Sequence, residues 1–439
     1  MFQPDHDHAE SFLRRLFAEA IAAVVPATCI PPALQNFRRT LSSQPERVIV
    51  IGAGKAAAAM AYWVEQAWSD LALEGLVITR YGHLDPKTMP RRIQVIEAAH
   101  PVPDHAGTQA AQALLQRSQG LHEGDLVLAL WSGGGSALMS LPSNGLSLAE
   151  KQEINRALLR CGASIHEINC VRKHLSAIKG GRLALACAPA RIHSLVISDV
   201  AGDDASVIAS GPTLPDASTS AQALDILRRY RVPISTALEG YLQLPESETP
   251  KHFPTSLNLS FELVAQAQTA LNAAAQWARA QGIEVTILSD RLDGDARTLG
   301  REHAALAIQL ADQAQPKAGE RQLPQLLLSG GETTVTLTGL GRGGRNTEYL
   351  LSCCLHLQGH PRIYALAADT DGIDGSEDNA GAWIGPHSLA RAAQQGLSAQ
   401  EFLHNNDAYS FFERLGGLLV TGPTLTNVND FRAILILPE

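Results

Sequence analysis

Residues 48–57 read V-I-V-I-G-A-G-K-A-A. The β-branched run reads as a buried strand. Gly52 and Gly54 then permit a tight turn, and the alanines that follow favour a helix. Strand, glycine turn and helix in that order open a doubly wound sheet, with the helix N-terminus attracting an anion at the turn. The alternation continues outward from this point. Strands are expected at 75–79, 93–96, 125–131 and 193–198, and helices at 56–68 and 148–161. Phe12, Leu13, Leu16, Phe17, Ala20, Ile21 and Val24 mark one face of a leading helix that should end near Pro26. The pattern predicts an α/β fold whose first domain, residues 1–240, is a Rossmann-like parallel sheet.

At 231–258 the periodicity lapses. Pro233, Pro245, Pro250 and Pro254 lie among Ser, Thr and Glu, so a linker or lid is expected. Helices at 263–281 and 296–314 and a strand at 283–288 follow, then a polar, proline-bearing loop at 313–325. Further strands are expected at 325–328, 333–337, 363–368, 417–420 and 431–437. Two neighbouring strands joined by G-G-E suggest a mixed sheet, giving a second, smaller α/β domain over 260–439.

A chain of 439 residues is long enough for two cores. Its net charge of −9 argues against nucleic acid or an anionic membrane as partner. No apolar run reads as a membrane span, and residues 1–10 lack a signal-peptide pattern. Six scattered cysteines without C-x-x-C read as free thiols in a reducing cytoplasm, and with the 15 histidines they form no zinc pattern. A homodimer is among the assemblies the sequence permits.

Several motifs carry chemistry. Lys55, on the first turn after G-x-G, sits where an anion binds and lies outside the dinucleotide fingerprint. The following strand ends V-I-T-R at 77–80 instead of in a ribose-binding acid; that disfavours NAD, while Arg80 leaves NADP open. At 130–137, L-W-S-G-G-G-S-A places Ser132, Gly133, Gly134, Gly135 and Ser136 after an apolar strand. A plain turn needs one glycine; three make an anion nest. Residues 168–184 place Arg172 and Lys179 seven apart, on one helix face with Ser176, a positive patch suited to phosphates or an anionic substrate. Asp199 at a strand end and Asp203 one turn on can hold Mg²⁺ or orient a hydroxyl. G-G-E-T-T-V at 330–335 supplies Gly330, Gly331 and Glu332, and G-R-G-G-R-N-T-E at 341–348 supplies Arg342 and Arg345. A-D-T-D-G-I-D-G-S-E-D-N at 368–379 supplies Asp369, Asp371, Asp374 and Asn379 as hard oxygen ligands. The last motif lacks the closing Glu of an EF-hand.

Taken with H-P-V-P-D at 100–104 and I-A-S-G-P-T at 208–213, these motifs resemble the class II glycerate 2-kinase family, whose C-terminal part is called the MOFRL domain and whose members include chains once labelled hydroxypyruvate reductase. The likeness runs in one order from about residue 49 to the C-terminus, with the MOFRL region at about 325–437. It implies phosphorylation of D-glycerate at the 2-hydroxyl with ATP and Mg²⁺, two α/β domains with the active site between them, and catalytic importance for Lys55 and Arg345. On that reading Asp199 joins them as base or metal ligand. Gly52, Gly54, the 132–136 loop, Lys179, Gly330, Gly331 and Glu332 serve the nucleotide. Arg342 and Arg172 serve the glycerate carboxylate, and Asp199, Asp203, Asp369 and Asp371 serve the metal. The rivals are an NADP-linked hydroxypyruvate reductase and a non-catalytic sensor of sugar acids or nucleotides.

Overall fold

The computed structural model describes residues 5–313 and 322–438. It divides into one compact unit of residues 26–264 and another of residues 1–25 with 265–439.

The unit of residues 26–264 is built on a six-stranded sheet in the order β3-β2-β1-β4-β5-β6. Its strands are β1 (Arg47–Ala53), β2 (Leu73–Arg80), β3 (Ile93–Ala98), β4 (Asp125–Trp131), β5 (Arg191–Ile197) and β6 (Leu259–Ala265). From β3 to β5 every pairing is parallel. Buried strands of this kind need apolar residues on both faces, and β4 is buried at all seven positions. The order reverses between β1 and β4, so their carboxyl ends flank the crevice where such sheets bind ligands.

The helices, in chain order, are α1 (Ala9–Val24), α2 (Pro26–Arg38), α3 (Ala57–Ala67), α4 (His105–Arg117), α5 (Gly135–Leu138), α6 (Leu148–Arg160), α7 (Ile165–His174), α8 (Arg182–Ala186), α9 (Ser220–Arg229), α10 (Thr236–Tyr241), α11 (Ala267–Ala280), α12 (Ala296–Gln313), α13 (Arg345–Leu357), α14 (Ser388–Gln394), α15 (Ala399–His404) and α16 (Ala408–Leu415). Of these, α2 to α10 belong to the 26–264 unit. Capping boxes at Ser147 and Ser164 start α6 and α7.

The other unit carries a mixed sheet, β11-β10-β9-β12-β8-β7, made of β7 (Glu284–Leu292), β8 (Gln325–Gly331), β9 (Ile363–Asp369), β10 (Gly381–Ile384), β11 (Leu418–Leu419) and β12 (Asp430–Ile436). The last strand, β12, inserts antiparallel between β8 and β9. Its first residue, Asp430, stands opposite both Gly331 and Asp369.

Several sequence expectations need correction. The leading helix, α1, packs in the unit of residues 265–439, with Phe12 on Trp277 and Phe17 on Phe431. The leading helix does end beside Pro26, at Val24 with Val25 extended, and Pro26 then opens α2, because a first-turn proline costs no intrahelical hydrogen bond. Residues 9–38 taken together are long and apolar enough to cross a membrane by length and composition, where the sequence reading found no such run. Its apolar residues, Phe12, Leu16, Ile30 and Leu34 among them, are buried in the fold.

The segment 231–258 is pinned in place. Arg182 donates to the carbonyls of Glu246, Ser247 and Glu248 at 2.8 to 3.1 Å. Residues 259–265 form β6 before α11 begins, and the strand expected at 333–337 is a single bridge from Thr334 to Asp295. The sheet is mixed because β7 pairs parallel with β8 while the pairs from β8 through β12 and β9 to β11 are antiparallel. Lys179 lies outside any helix, since α7 ends at His174. The loop expected at 313–325 falls largely on residues 314–321, outside the described residues.

Candidate active site

At the switch point two loops lock together. The Lys55 amide donates to the Gly133 carbonyl at 2.8 Å, and the Ala56 amide donates to Ser132 Oγ at 3.1 Å. A Cβ on Gly54, where φ is +145°, would collide with Ser132, and one on Gly52 would meet the Leu130 carbonyl at 2.5 Å. Packing alone therefore accounts for both glycines of G-x-G. The two amides that would greet a pyrophosphate at the start of α3 are spent inside the protein, and so is the Ser132 hydroxyl.

The next loop is different. The amides of Gly133 and Gly134 have no partner among the described residues. Gly134 takes a φ of +81°, which favours glycine. A Cβ there would stand 3.0 Å from the His100 ring and 3.5 Å from Lys55 Cγ. The Lys55 stem thus lies against the glycine loop, beside two open amides. Asp199 follows β5 at the same end of the sheet. Asp203 occupies a turn at φ +57°.

Ser136 ties this loop to its neighbours. Its hydroxyl meets Ser210 Oγ at 2.8 Å, Ser210 donates to Asn169 at 3.0 Å, and Lys179 Nζ donates to the Ser136 carbonyl at 2.5 Å. The I-A-S-G-P-T and K-G-G-R segments are joined by Gly180 N to Ser210 O at 3.1 Å and Gly181 N to Gly211 O at 2.9 Å. Arg172 reaches Asn155 at 3.1 Å. Arg172 and Lys179 share a cavity, although a loop and not a helix face brings them together.

In the other unit, Arg345 opens α13 and meets three carboxylates: Asp430 at 2.7 Å, Glu332 at 2.8 Å and Asp369 at 2.9 Å. Burial works against its charge, but Asp430, Asp369 and Glu332 outweigh it and hold its pKa well above the ordinary arginine value. Its fork is already committed to acids, so it organises the carboxylates around it. The strand ladder explains the cluster: Asp430 faces Asp369 and Gly331 across β12, and Glu332 follows Gly331. The buried Arg432 pairs with Asp430 and donates to Gly330 O at 3.2 Å. Asp369 also accepts from the Asp371 amide at 3.0 Å, and Asp371 accepts from the Ile373 amide at 2.8 Å.

Asp374 serves α13. It accepts from the Asn346 amide at 3.0 Å, the Thr347 amide at 2.9 Å and the Thr347 hydroxyl at 2.8 Å. Arg342 pairs with the Glu377 carboxylate and lies 4.4 Å over the Tyr409 ring, on an exposed edge. Glu348 pairs with Arg297 at 2.5 Å and not with Arg345. Among the described residues no three His, Cys, Asp or Glu side chains form a metal-ligand group. Sequence reasoning missed Asp430, visible only once β12 is registered, and Lys151, which sits in an ordinary-looking amphipathic helix.

The family described as a domain of unknown function, DUF4147, matches residues 12–243, and the MOFRL family matches residues 325–430. A protein provisionally named hydroxypyruvate reductase, from Agrobacterium vitis, is 47% identical over 98% of this chain and 94% of its own length. D-glycerate 2-kinase of Thermotoga maritima is 37% identical over 98% of both chains. The chain belongs to the glycerate 2-kinase family. A crystal structure of a Thermotoga maritima glycerate kinase superposes with a TM-score of 0.87, at 37% identity over 98% of this chain and all of the other. The two matched regions correspond to separate sheets here, the first lying mostly on β1 to β5 and the second running from β8 to the first residue of β12.

Proposed function

We propose that the protein transfers the terminal phosphoryl group of ATP to the 2-hydroxyl of D-glycerate. The observation that carries this reading is the glycine loop at the switch point, with two open amides and the Lys55 stem against it. Phosphoryl transfer asks for positioning and neutralisation of spreading negative charge more than for covalent chemistry. Amides fixed in a loop do this without reorganising, and Lys55 adds a full positive charge beside them. Gly133, Gly134, Gly135 and Ser136 accordingly receive nucleotide phosphates. Asp199, held at the end of β5, orients the hydroxyl or accepts its proton.

Magnesium usually takes one or two protein carboxylates and completes its shell with water and phosphates. The acids gathered round Arg345 suit that donor set: Glu332 keeps 49% of its side chain exposed, and Asp369 stands beside it on the same arginine. Mg²⁺ would be held there, or by Asp199 with Asp203, and would neutralise phosphate charge. Asp371 supports Asp369 through its amide. Arg345 holds the acids in place, Arg342 is engaged with Glu377, and Arg172 is the better placed partner for a carboxylate.

The reductase name carried by the Agrobacterium relative calls for a nicotinamide dinucleotide. Against it stand the Lys55 and Ala56 amides, both consumed by the neighbouring loop. The test is purified protein with D-glycerate and ATP, with and without Mg²⁺, followed by identification of the phosphoglycerate isomer. Formation of 2-phosphoglycerate is expected. NAD(P)H oxidation by hydroxypyruvate with no ATP turnover would overturn the proposal.

A further inference from the structure

One cavity in the unit of residues 26–264, about 50 Å³, lies where α6 and α7 meet the end of the glycine loop. Pro101, Val102 and Leu159 give it apolar walls, and Ser136 lines it on the loop side. Its charged lining is wholly cationic: Lys151 and Arg156 from α6, Arg172 from α7, and Lys179. Lys179 is 1% exposed and Lys151 3%. Their partners are neutral. Lys151 Nζ reaches the Leu141 carbonyl at 3.4 Å, Lys179 Nζ the Ser136 carbonyl, and Arg172 the Asn155 amide oxygen. No ion pair to any of the three occurs among the described residues.

Buried charge is expensive unless it is paired, and like charges sharing a cavity raise the cost further. Such an arrangement persists when an anion completes it. We propose that this cavity is a binding site for a small oxyanion, a carboxylate or a phosphate, with Lys151 as its central cation. Lys151 and Lys179 are buried, so a charge-assisted hydrogen bond to either counts for more than it would at the surface. The acceptor acid of the proposed reaction brings a carboxylate, and the nucleotide or free phosphate brings the alternative source. The binding claim itself needs no turnover, so it stands or falls separately from the kinase reading.

A second property follows from the same surroundings. The charged groups facing Lys151 are Arg172 of α7, Arg182 of α8, Lys179 of the connecting loop and Arg156 of its own helix, and no Asp or Glu lines the cavity. Burial first, then repulsion from Arg172 and Arg182, lowers the Lys151 pKa to about 7. An entering anion reverses that balance and recharges the amine. Anion binding near neutral pH therefore takes up a proton.

The experiment is isothermal titration of the full chain with D-glycerate, inorganic phosphate and ATP separately, near neutral pH, in two buffers of different ionisation enthalpy. At least one of these oxyanions is expected to bind wild type with proton uptake, and which one does identifies the source. Lys151→Met should weaken that ligand about tenfold or more, the scale of one lost charge-assisted contact. Lys151→Arg should retain binding but lose the proton uptake, because arginine stays charged. A thermal melt reports folding; if Lys151→Met fails to fold, Lys151→Arg and Arg156→Gln carry the test. Unchanged affinity for all three ligands in a folded Lys151→Met, or wild-type binding with no proton uptake, would sink the inference.

Discussion

Lys55 and Arg345 are both family-implied catalytic residues, yet their surroundings assign them different work. The Lys55 stem lies against a glycine loop, whereas Arg345 is clamped by Asp430, Glu332 and Asp369. Lys55→Ala should lower kcat on the order of a hundredfold or more, the usual loss for one preorganised electrostatic group. Its melting temperature should stay close to wild type, and steady-state kinetics alongside a thermal scan checks both. Arg345→Ala should behave otherwise. Removing one partner from a buried charge cluster typically costs about 3–5 kcal/mol, because the carboxylates left behind lose their compensation. Arg345→Lys keeps the charge but cannot span three acids, so stability and kcat should fall together in it as well. Denaturant unfolding decides: an Arg345→Lys variant as stable as wild type would show that the acids do not depend on its fork. Lysine and arginine residues were legible as candidates from their place beside glycines. Their partners were not, since Asp430 lies 85 positions from Arg345 along the chain.

At the scale of elements, α13 illustrates how a loop can start a helix. Gly344 is its N-cap residue and has no side chain to offer, so Asp374 caps the first turn from the acid-rich loop. Asp374→Ala should cost at least the roughly 0.5–2 kcal/mol of an ordinary N-cap and loosen the turn that carries Arg345; a fall in denaturant midpoint together with reduced kcat is expected. Strand β5 gives a pH prediction. His193 stacks on Phe37 with ring centroids 3.7 Å apart and bonds Ser260 at 2.9 Å. Burial, then the Arg191 charge, lowers its pKa from 6.5 to about 4. The unfolded chain therefore binds a proton that the folded chain refuses in this window. Stability contributed by His193 is complete above about pH 6.5, falls as pH drops toward 4, and totals up to about 3 kcal/mol. His303, buried and beside Arg432, shifts the same way to about 4. Denaturant midpoints across this range should fall less steeply in His193→Gln than in wild type; identical slopes would refute the assignment. The first sheet was readable because buried parallel strands are continuous apolar runs. The strand wrongly expected at 333–337, T-T-V-T-L, has equal β propensity but no ladder to join.

For the whole molecule, the decisive fact is that the chain's first 25 residues belong with its last 175, from 265 to 439. The amphipathic face of α1 was legible as a periodicity; its partner was not, because periodicity names a buried face without naming what buries it. That partner is α11 with β9 and β12. Phe12, Leu13, Leu16 and Phe17 are buried there, and the Val24 carbonyl accepts from Thr426 Oγ1 at 2.7 Å. Burying each such large apolar side chain contributes about 1.5–3 kcal/mol. Even as upper estimates, the sum for these four rivals the roughly 5–15 kcal/mol that separates folded from unfolded domains. A fragment of residues 265–439 should therefore lack a cooperative melt and bind a hydrophobic dye, since Ala270, Leu271, Ala274 and Ala275 of α11 lose their cover. Joining residues 5–25 to its C-terminus through a flexible linker should restore a cooperative transition, because α1 then regains α11 without the 26–264 unit. Circular dichroism melts of the two fragments, with dye binding in parallel, make the comparison. If residues 265–439 alone melt cooperatively at the temperature of the joined fragment, α1 is an accessory to that unit; if the joined fragment melts cooperatively and the shorter one does not, the N-terminal helix is part of its core.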